Sequence, residues 1–151
     1  MSNFNIYTDG ACSGNPGKGG WGFVCVDDYN NIMHSAGGAQ ENTTNQRMEM
    51  TAIIEACNWV LNNSNDFFTC TIYTDSAYCC NCYKEKWYEV WRINNWITSS
   101  KTKVKNIDLW KQLVLFFEDV RFNLVKVKGH SGLDFNEMAD RIATQSIKGD
   151  K

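Results

Sequence analysis

Apolar and polar side chains alternate along the N-terminal quarter of the chain in the manner of strands. Residues 5–8 form a first strand that ends at Asp9, and a glycine-rich turn then runs through Gly14, Asn15, Pro16 and Gly17 to Gly19 and Gly20. Residues 21–26 alternate as a second strand, residues 27–31 read as a hairpin turn, and residues 32–36 return as a third strand, all antiparallel. The period then changes. Met50, Ile53, Ile54, Cys57, Val60 and Leu61 recur at helical spacing as one apolar stripe, and Thr43 with Gln46 three residues later predicts a capping-box start. Residues 69–74 return to a strand pattern, with Ser76 placed to cap a short helix, and the aromatic-rich stretch 83–96 is predicted to be partly helical. Asn106 heads an amphipathic helix carrying Leu109, Trp110, Leu113, Val114 and Phe117. Residues 120–127 form a last strand, and Asp134 with Glu137 opens a terminal helix carrying Met138 and Ile142. Three strands, a helix, a strand, two helices, a strand and a helix make a mixed α/β domain, with hairpins first and then the strand–helix alternation that implies parallel pairing.

Composition narrows the class. A chain of 151 residues predicts one domain, 1–151, and 43% hydrophobic with 21% charged residues is globular rather than disordered. No run approaches the ~18 apolar residues of a membrane span, and the N-terminus lacks a basic region followed by an apolar one, so no membrane association and a cytoplasmic setting are expected. The net charge of −2 does not advertise a nucleic-acid binder, though Lys101, Lys103 and Lys105 form a local run without an acid. Cys79, Cys80 and Cys82 cluster among seven cysteines, but an odd count without paired units or histidine partners predicts reduced structural thiols.

Four acids hold telling positions: Asp9 at a strand end before glycines, Glu49 in the first turns of the first long helix, Asp75 at the end of the fourth strand, and Asp140 on the terminal helix. Parallel pairing would bring the ends of the first and fourth strands side by side, at the edge where such sheets place ligands. Acids gathered there repel one another unless a hard divalent cation, Mg²⁺ or Mn²⁺, neutralises them. Taken singly, each has a plain structural reading: Asp9 as a turn former, Asp75 as a helix cap, Glu49 and Asp140 as solvated helix residues. Spacing alone leaves these alternatives open.

The motifs around the acids do more. Ile6-Tyr7-Thr8-Asp9-Gly10-Ala11-Cys12-Ser13-Gly14-Asn15-Pro16-Gly17 followed by Gly19-Gly20-Trp21-Gly22, then Thr44-Asn45-Gln46-Arg47-Met48-Glu49, Tyr73-Thr74-Asp75-Ser76, and Val127-Lys128-Gly129-His130-Ser131-Gly132 with Asn136-Glu137 and Asp140 occur in this order over nearly the whole chain. This series resembles the type 1 ribonuclease H family. The resemblance implies a five-stranded mixed sheet flanked by helices and a metal-dependent endonuclease that cuts the RNA strand of an RNA–DNA hybrid, leaving 5′-phosphate and 3′-hydroxyl ends. Asp9, Glu49, Asp75 and Asp140 match the family's carboxylate ligands for two Mg²⁺ ions, with Mn²⁺ as a substitute. His130 matches its histidine for proton transfer or product departure. Gly10, Cys12, Asn45 and Gln46 match residues lining the hybrid groove, Asn15 and Thr44 residues holding a DNA phosphate, and Trp87 a residue at the DNA strand.

Two departures temper what carries over. Ala77 stands where bacterial relatives often have a glutamine that contacts RNA, and the handle segment from Trp87 to Trp96 carries Arg92 as its one cation, with Glu89 opposing it. Weak hybrid binding is therefore expected, from a compact stand-alone monomer. A recombinase-like nuclease of the wider superfamily and a non-catalytic hybrid-binding module are the competing readings, the first disfavoured by Asn45 and Gln46, the second by the presence of all the acids.

Overall fold

Hydrogen-bonded pairing turns the alternating N-terminal segments into one sheet. In the computed structural model, which describes residues 2–127 and 134–149, the strands are β1 (Ser2–Gly14), β2 (Gly17–Val26), β3 (Ile32–Thr43), β4 (Phe68–Thr74) and β5 (Phe122–Lys126). The helices are α1 (Asn45–Asn63), α2 (Ala77–Glu85), α3 (Trp87–Ile93), α4 (Ile107–Phe117) and α5 (Asp134–Lys148). The sheet order is β3-β2-β1-β4-β5. β1 with β2 and β2 with β3 are antiparallel, while β4 joins β1 and β5 joins β4 in parallel. The expected mixed five-stranded sheet is the one observed.

Alternation along the strands divides the sheet between two helical layers. Phe4, Ile6, Phe23 and Cys25 face α1 and α4 in the larger core, with Ile53, Cys57, Val60, Trp110 and Leu113. The intervening Tyr7, Val24 and Val26 face α5, against Phe135, Met138, Ala139 and Ile142. α5 lies so close to the sheet that a Cβ on Gly22 would sit 2.8 Å from Ile142 Cβ and 2.9 Å from the Ala139 carbonyl, and one on Gly20 would overlap the Ala143 carbonyl. Glycines here are the condition for helix-on-sheet contact.

That contact corrects the expected strand limits. Asp9 does not end the first strand: β1 runs on to Gly14, Gly19 and Gly20 lie inside β2, and the turn shrinks to Asn15 and Pro16, joined by a cis peptide bond. β3 likewise passes Ala36 to reach Thr43. The cap of α1 is Thr44, whose hydroxyl accepts from the Arg47 N–H at 3.2 Å, not Thr43. Ser76 caps α2 as expected, accepting from the Cys79 N–H at 3.1 Å. Residues 83–96 are partly helical, as expected, but three helices rather than two separate β4 from β5, because Lys86 adopts a left-handed backbone (φ 56°, ψ 43°) that divides α2 from α3. Val120, expected in the last strand, is 95% exposed ahead of β5.

Candidate active site

The parallel pairing of β1 with β4 puts Tyr7 opposite Tyr73. Two residues further along each chain stand Asp9 and Asp75, so the strand register itself sets these acids side by side. The turn after β4 is tied by the Ser76 N–H donating to Thr74 Oγ1 at 3.1 Å. Glu49 arrives from α1. A Cβ at Gly10 would lie 2.8 Å from Met48 Cβ and overlap the Glu49 backbone, so only glycine lets β1 and α1 approach this closely. The Gly10 N–H donates to Asp9 Oδ1 at 2.9 Å and to Glu49 Oε1 at 2.5 Å, fixing both carboxyls with one donor. Carboxylate oxygens of Asp9, Glu49 and Asp75 all fall within 4.8 Å of one another. Among the described residues this is the one group of His, Cys, Asp and Glu so arranged.

The electrostatics follow from crowding. Burial pushes Asp9 up to about 6, the neighbouring Asp75 charge adding to the rise and the hydrogen bond from Glu49 partly opposing it. Burial pushes Glu49 up further, helped by its contacts with Asp75 and Asp9. As bare carboxyls these groups retain a proton, held chiefly by Glu49. A cation is the alternative way to satisfy them.

Asp140 on α5 lines the same cleft as Asp9 and Asp75. One side of the cleft is formed by Gly10, Ala11, Cys12 and Asn45 around Asp9, Glu49, Asp75 and Asp140. The other side is formed by Thr8, Val127, Asn136 and Glu137. Sequence reasoning took Glu137 as a helix-start residue. It lies three positions before Asp140, one helical turn away on the same face, and that spacing was the available signal. The Cys12 thiol donates to the Thr43 carbonyl at 3.3 Å. Gln46 follows Asn45 on α1 and Asn15 is exposed in the β1–β2 turn; neither is among the residues lining the cleft. Trp87 lines a separate surface groove with Lys86, Val90, Trp91 and Asn94. His130 lies outside the described residues.

An RNase H family model matches residues 1–148 of this sequence. The chain belongs to the RNase H family. A relative in Thermoanaerobacter sp. (strain X514) named Ribonuclease H is 46% identical over 143 residues, covering 95% of this chain and 88% of that protein. The fold is shared with LC9-RNase H1, described as a type 1 RNase H with the type 2 active-site motif, at a TM-score of 0.83 and 24% identity over 100% of this chain and 74% of that one. It is shared as well with LC11-RNase H1 in complex with RNA/DNA hybrid, at a TM-score of 0.70 and 22% identity over 97% of each chain.

Within this RNase H chain the handle is an aromatic assembly rather than a basic one. Trp91 packs on Trp87, Trp96 and Trp110, with ring centroids 6.1, 6.0 and 5.5 Å apart. The Trp110 indole N–H donates to the Tyr78 hydroxyl at 3.3 Å. Arg92 is engaged by Glu118, not Glu89: its guanidinium lies 2.9 Å from the Glu118 carboxylate and above the Tyr88 ring. Cys79, Cys80 and Cys82 are buried thiols on α2, and burial raises all three above the ordinary thiol range.

Proposed function

We propose that this chain is a divalent-metal-dependent endonuclease that hydrolyses the RNA strand of RNA–DNA hybrids, leaving 5′-phosphate and 3′-hydroxyl ends, with residues 1–151 as one catalytic domain. The observation that carries this reading is the meeting of Asp9, Glu49, Asp75 and Asp140 in one cleft. It is supported by curated relatives named Ribonuclease H and by a fold neighbour that holds an RNA/DNA hybrid.

The donor set fits the metal. Carboxylate oxygens are the ligands that Mg²⁺ and Mn²⁺ take, and the raised carboxyls at this site are stabilised in their charged form by positive charge. Asp9, Glu49, Asp75 and Asp140 would hold two such ions. Bound there, the ions supply a lowered pKa for the attacking water and charge stabilisation at the leaving 3′ oxygen. The remaining work belongs to the chain. The Gly10 N–H orients the Asp9 and Glu49 carboxyls, and the Gly10 backbone borders the groove through which the hybrid's sugar would approach. Glu49, with Asn45 and Gln46 at the head of α1, reads the 2′-hydroxyl that separates RNA from DNA, and Cys12 borders the same groove. Asn15 and Thr44 hold a phosphate of the DNA strand, which Trp87 meets further along. His130 moves a proton at the departing oxygen or assists product release. Water adds to phosphorus as the P–O3′ bond breaks. The protein acts as a monomer in a reducing cytoplasm, in keeping with seven free thiols.

The test is direct. Purified protein is incubated with end-labelled hybrid, duplex DNA and duplex RNA, with and without Mg²⁺. Cleavage of the RNA in the hybrid alone, and only with metal, is the expected result. Cutting of duplex DNA would favour the recombinase-like reading, and binding without cutting a non-catalytic module.

A further inference from the structure

The head of α1 is gripped from two sides, and the acid cleft accounts for one of them. On the sheet side, the Gly10 N–H holds the Glu49 carboxyl. On the other, Arg47 reaches across to the head of α4. Its Nη1 donates to Asp108 Oδ1 at 3.0 Å and its Nη2 to Asp108 Oδ2 at 2.7 Å, a fork-on-fork pair that fixes the guanidinium plane. Nη1 also donates to Asn106 Oδ1 at 3.2 Å. Asn106 makes no side-chain cap on its own helix, although it stands at the α4 N-cap position with a left-handed backbone (φ 60°). A residue type favoured for capping is instead spent on Arg47. The Arg47 backbone is held too, its N–H by Thr44 Oγ1 and its carbonyl by the Thr51 hydroxyl at 2.7 Å.

What this arrangement joins is informative. Asn45, two residues before Arg47, lines the acid cleft, and Glu49, two residues after, contributes a carboxyl to it. α4 begins directly after the exposed segment that carries Lys101, Lys103 and Lys105. With side chains 30% and 59% exposed, the Arg47–Asp108 pair adds little to global stability, since water screens it. Its fixed geometry is the stronger effect.

We propose that Arg47, held by Asp108 and Asn106, is a positioning residue for hybrid recognition: the clamp keeps the first turn of α1, with the Asn45 and Gln46 amides, in fixed relation to the lysine-bearing segment that enters α4. This rests on the hybrid-cleaving function proposed above. Because the guanidinium is engaged by Asp108, Arg47 acts through the helix head and not as a phosphate ligand.

Steady-state cleavage of a labelled hybrid by the full chain tests it, with thermal unfolding recorded for each variant. Asp108→Ala should raise KM roughly three- to tenfold, the range that the loss of a charge-assisted pair implies, with kcat nearly unchanged. Asp108→Asn, which keeps one acceptor, should give a smaller rise. Arg47→Lys, which keeps the charge but loses the fork, should resemble Asp108→Ala. The control is Asp119→Ala. It breaks a similar fork, in which Arg121 Nη2 and Nε meet the Asp119 carboxylate at 2.7 and 3.0 Å, at the β5 entry, the opposite end of the sheet from the acids. It should lower Tm comparably and leave KM alone. Equal KM shifts in the two alanine variants, or a wild-type KM in Asp108→Ala, would overturn the clamp alone. A wild-type protein that leaves the hybrid intact would overturn the parent reading and this one with it.

Discussion

At the residue scale, the acids at the cleft are buried and repel each other, and burial, the larger effect, has a measurable sign. Asp9 is raised from an ordinary carboxylate to about 6, so the folded state binds its proton more tightly than the unfolded chain does. The stability this contributes is complete below the ordinary carboxylate value and is lost as pH rises through about 6. Metal-free wild-type protein should therefore lose Tm across that window, and Mg²⁺ should restore it. Asp9→Asn should flatten the dependence and melt higher than wild type near neutral pH without metal, while hybrid cleavage falls by orders of magnitude. Melting curves between about pH 4 and pH 8, paired with a cleavage assay, check both halves. A folded Asp9→Asn protein that cuts hybrid normally would exclude Asp9 as a metal ligand. His130→Ala should behave differently, losing on the order of 10²–10⁴-fold in rate at most, with Mg²⁺ affinity unchanged by titration calorimetry. The four acids were legible because each sits inside a recognisable motif, although Asp9 lies within β1 and Asp140 within α5 rather than at an element's end. Glu137 was not legible as a cleft residue, because an acid three positions after Asp134 satisfies the helix-start pattern equally well.

At the element scale, strand–helix order was readable and strand length was not. Glycine at positions 19, 20, 37 and 38 looks like turn punctuation, yet all four lie within β2 or β3, where a side chain would strike Met48, α5 or Trp21. The information that distinguishes the two meanings of glycine is tertiary, so local pattern could not supply it. The start of α1 shows the same ambiguity between neighbouring threonines. Thr44 caps the helix, whereas Thr43 is buried at 2% exposure and its hydroxyl has no hydrogen-bond partner among the described residues. Thr44→Ala should cost about 1 kcal/mol, the usual worth of a lost cap. Thr43→Val, isosteric and apolar, should be neutral or stabilising, because it removes a buried polar group that makes no bond. Chemical denaturation of the two variants decides it. A larger loss in Thr43→Val than in Thr44→Ala would return the cap to Thr43.

At the scale of the whole molecule, net charge and its placement set how the protein meets a polyanion. The chain carries −2 overall, and its acids include four directed to the cleft. Arg92, the handle's cation, is paired with Glu118, and Arg47 and Arg121 are paired with Asp108 and Asp119. Lys111 lies 5.7 Å from the centroid of the Trp96 ring. The exposed Lys101, Lys103 and Lys105 form a run of cations without an acid on the segment between α3 and α4, and we take them as the first candidates for phosphate contact. Each neutralised phosphate releases counterions and steepens the fall of log affinity with log salt by about 0.9 for duplex DNA. A shallow slope, corresponding to about two to four contacts, is expected here. Replacing the three lysines together should weaken hybrid binding and flatten that slope, yet leave turnover at saturating hybrid nearly intact, because none of them lines the acid cleft. Binding by a catalytically silent Asp75→Asn protein at several salt concentrations, with and without the triple change, measures both effects. An unchanged slope would make the lysines a solvated face and move the phosphate contacts to the backbone N–H groups and amides around the α1 head, where they would respond to the Asp108 variants instead.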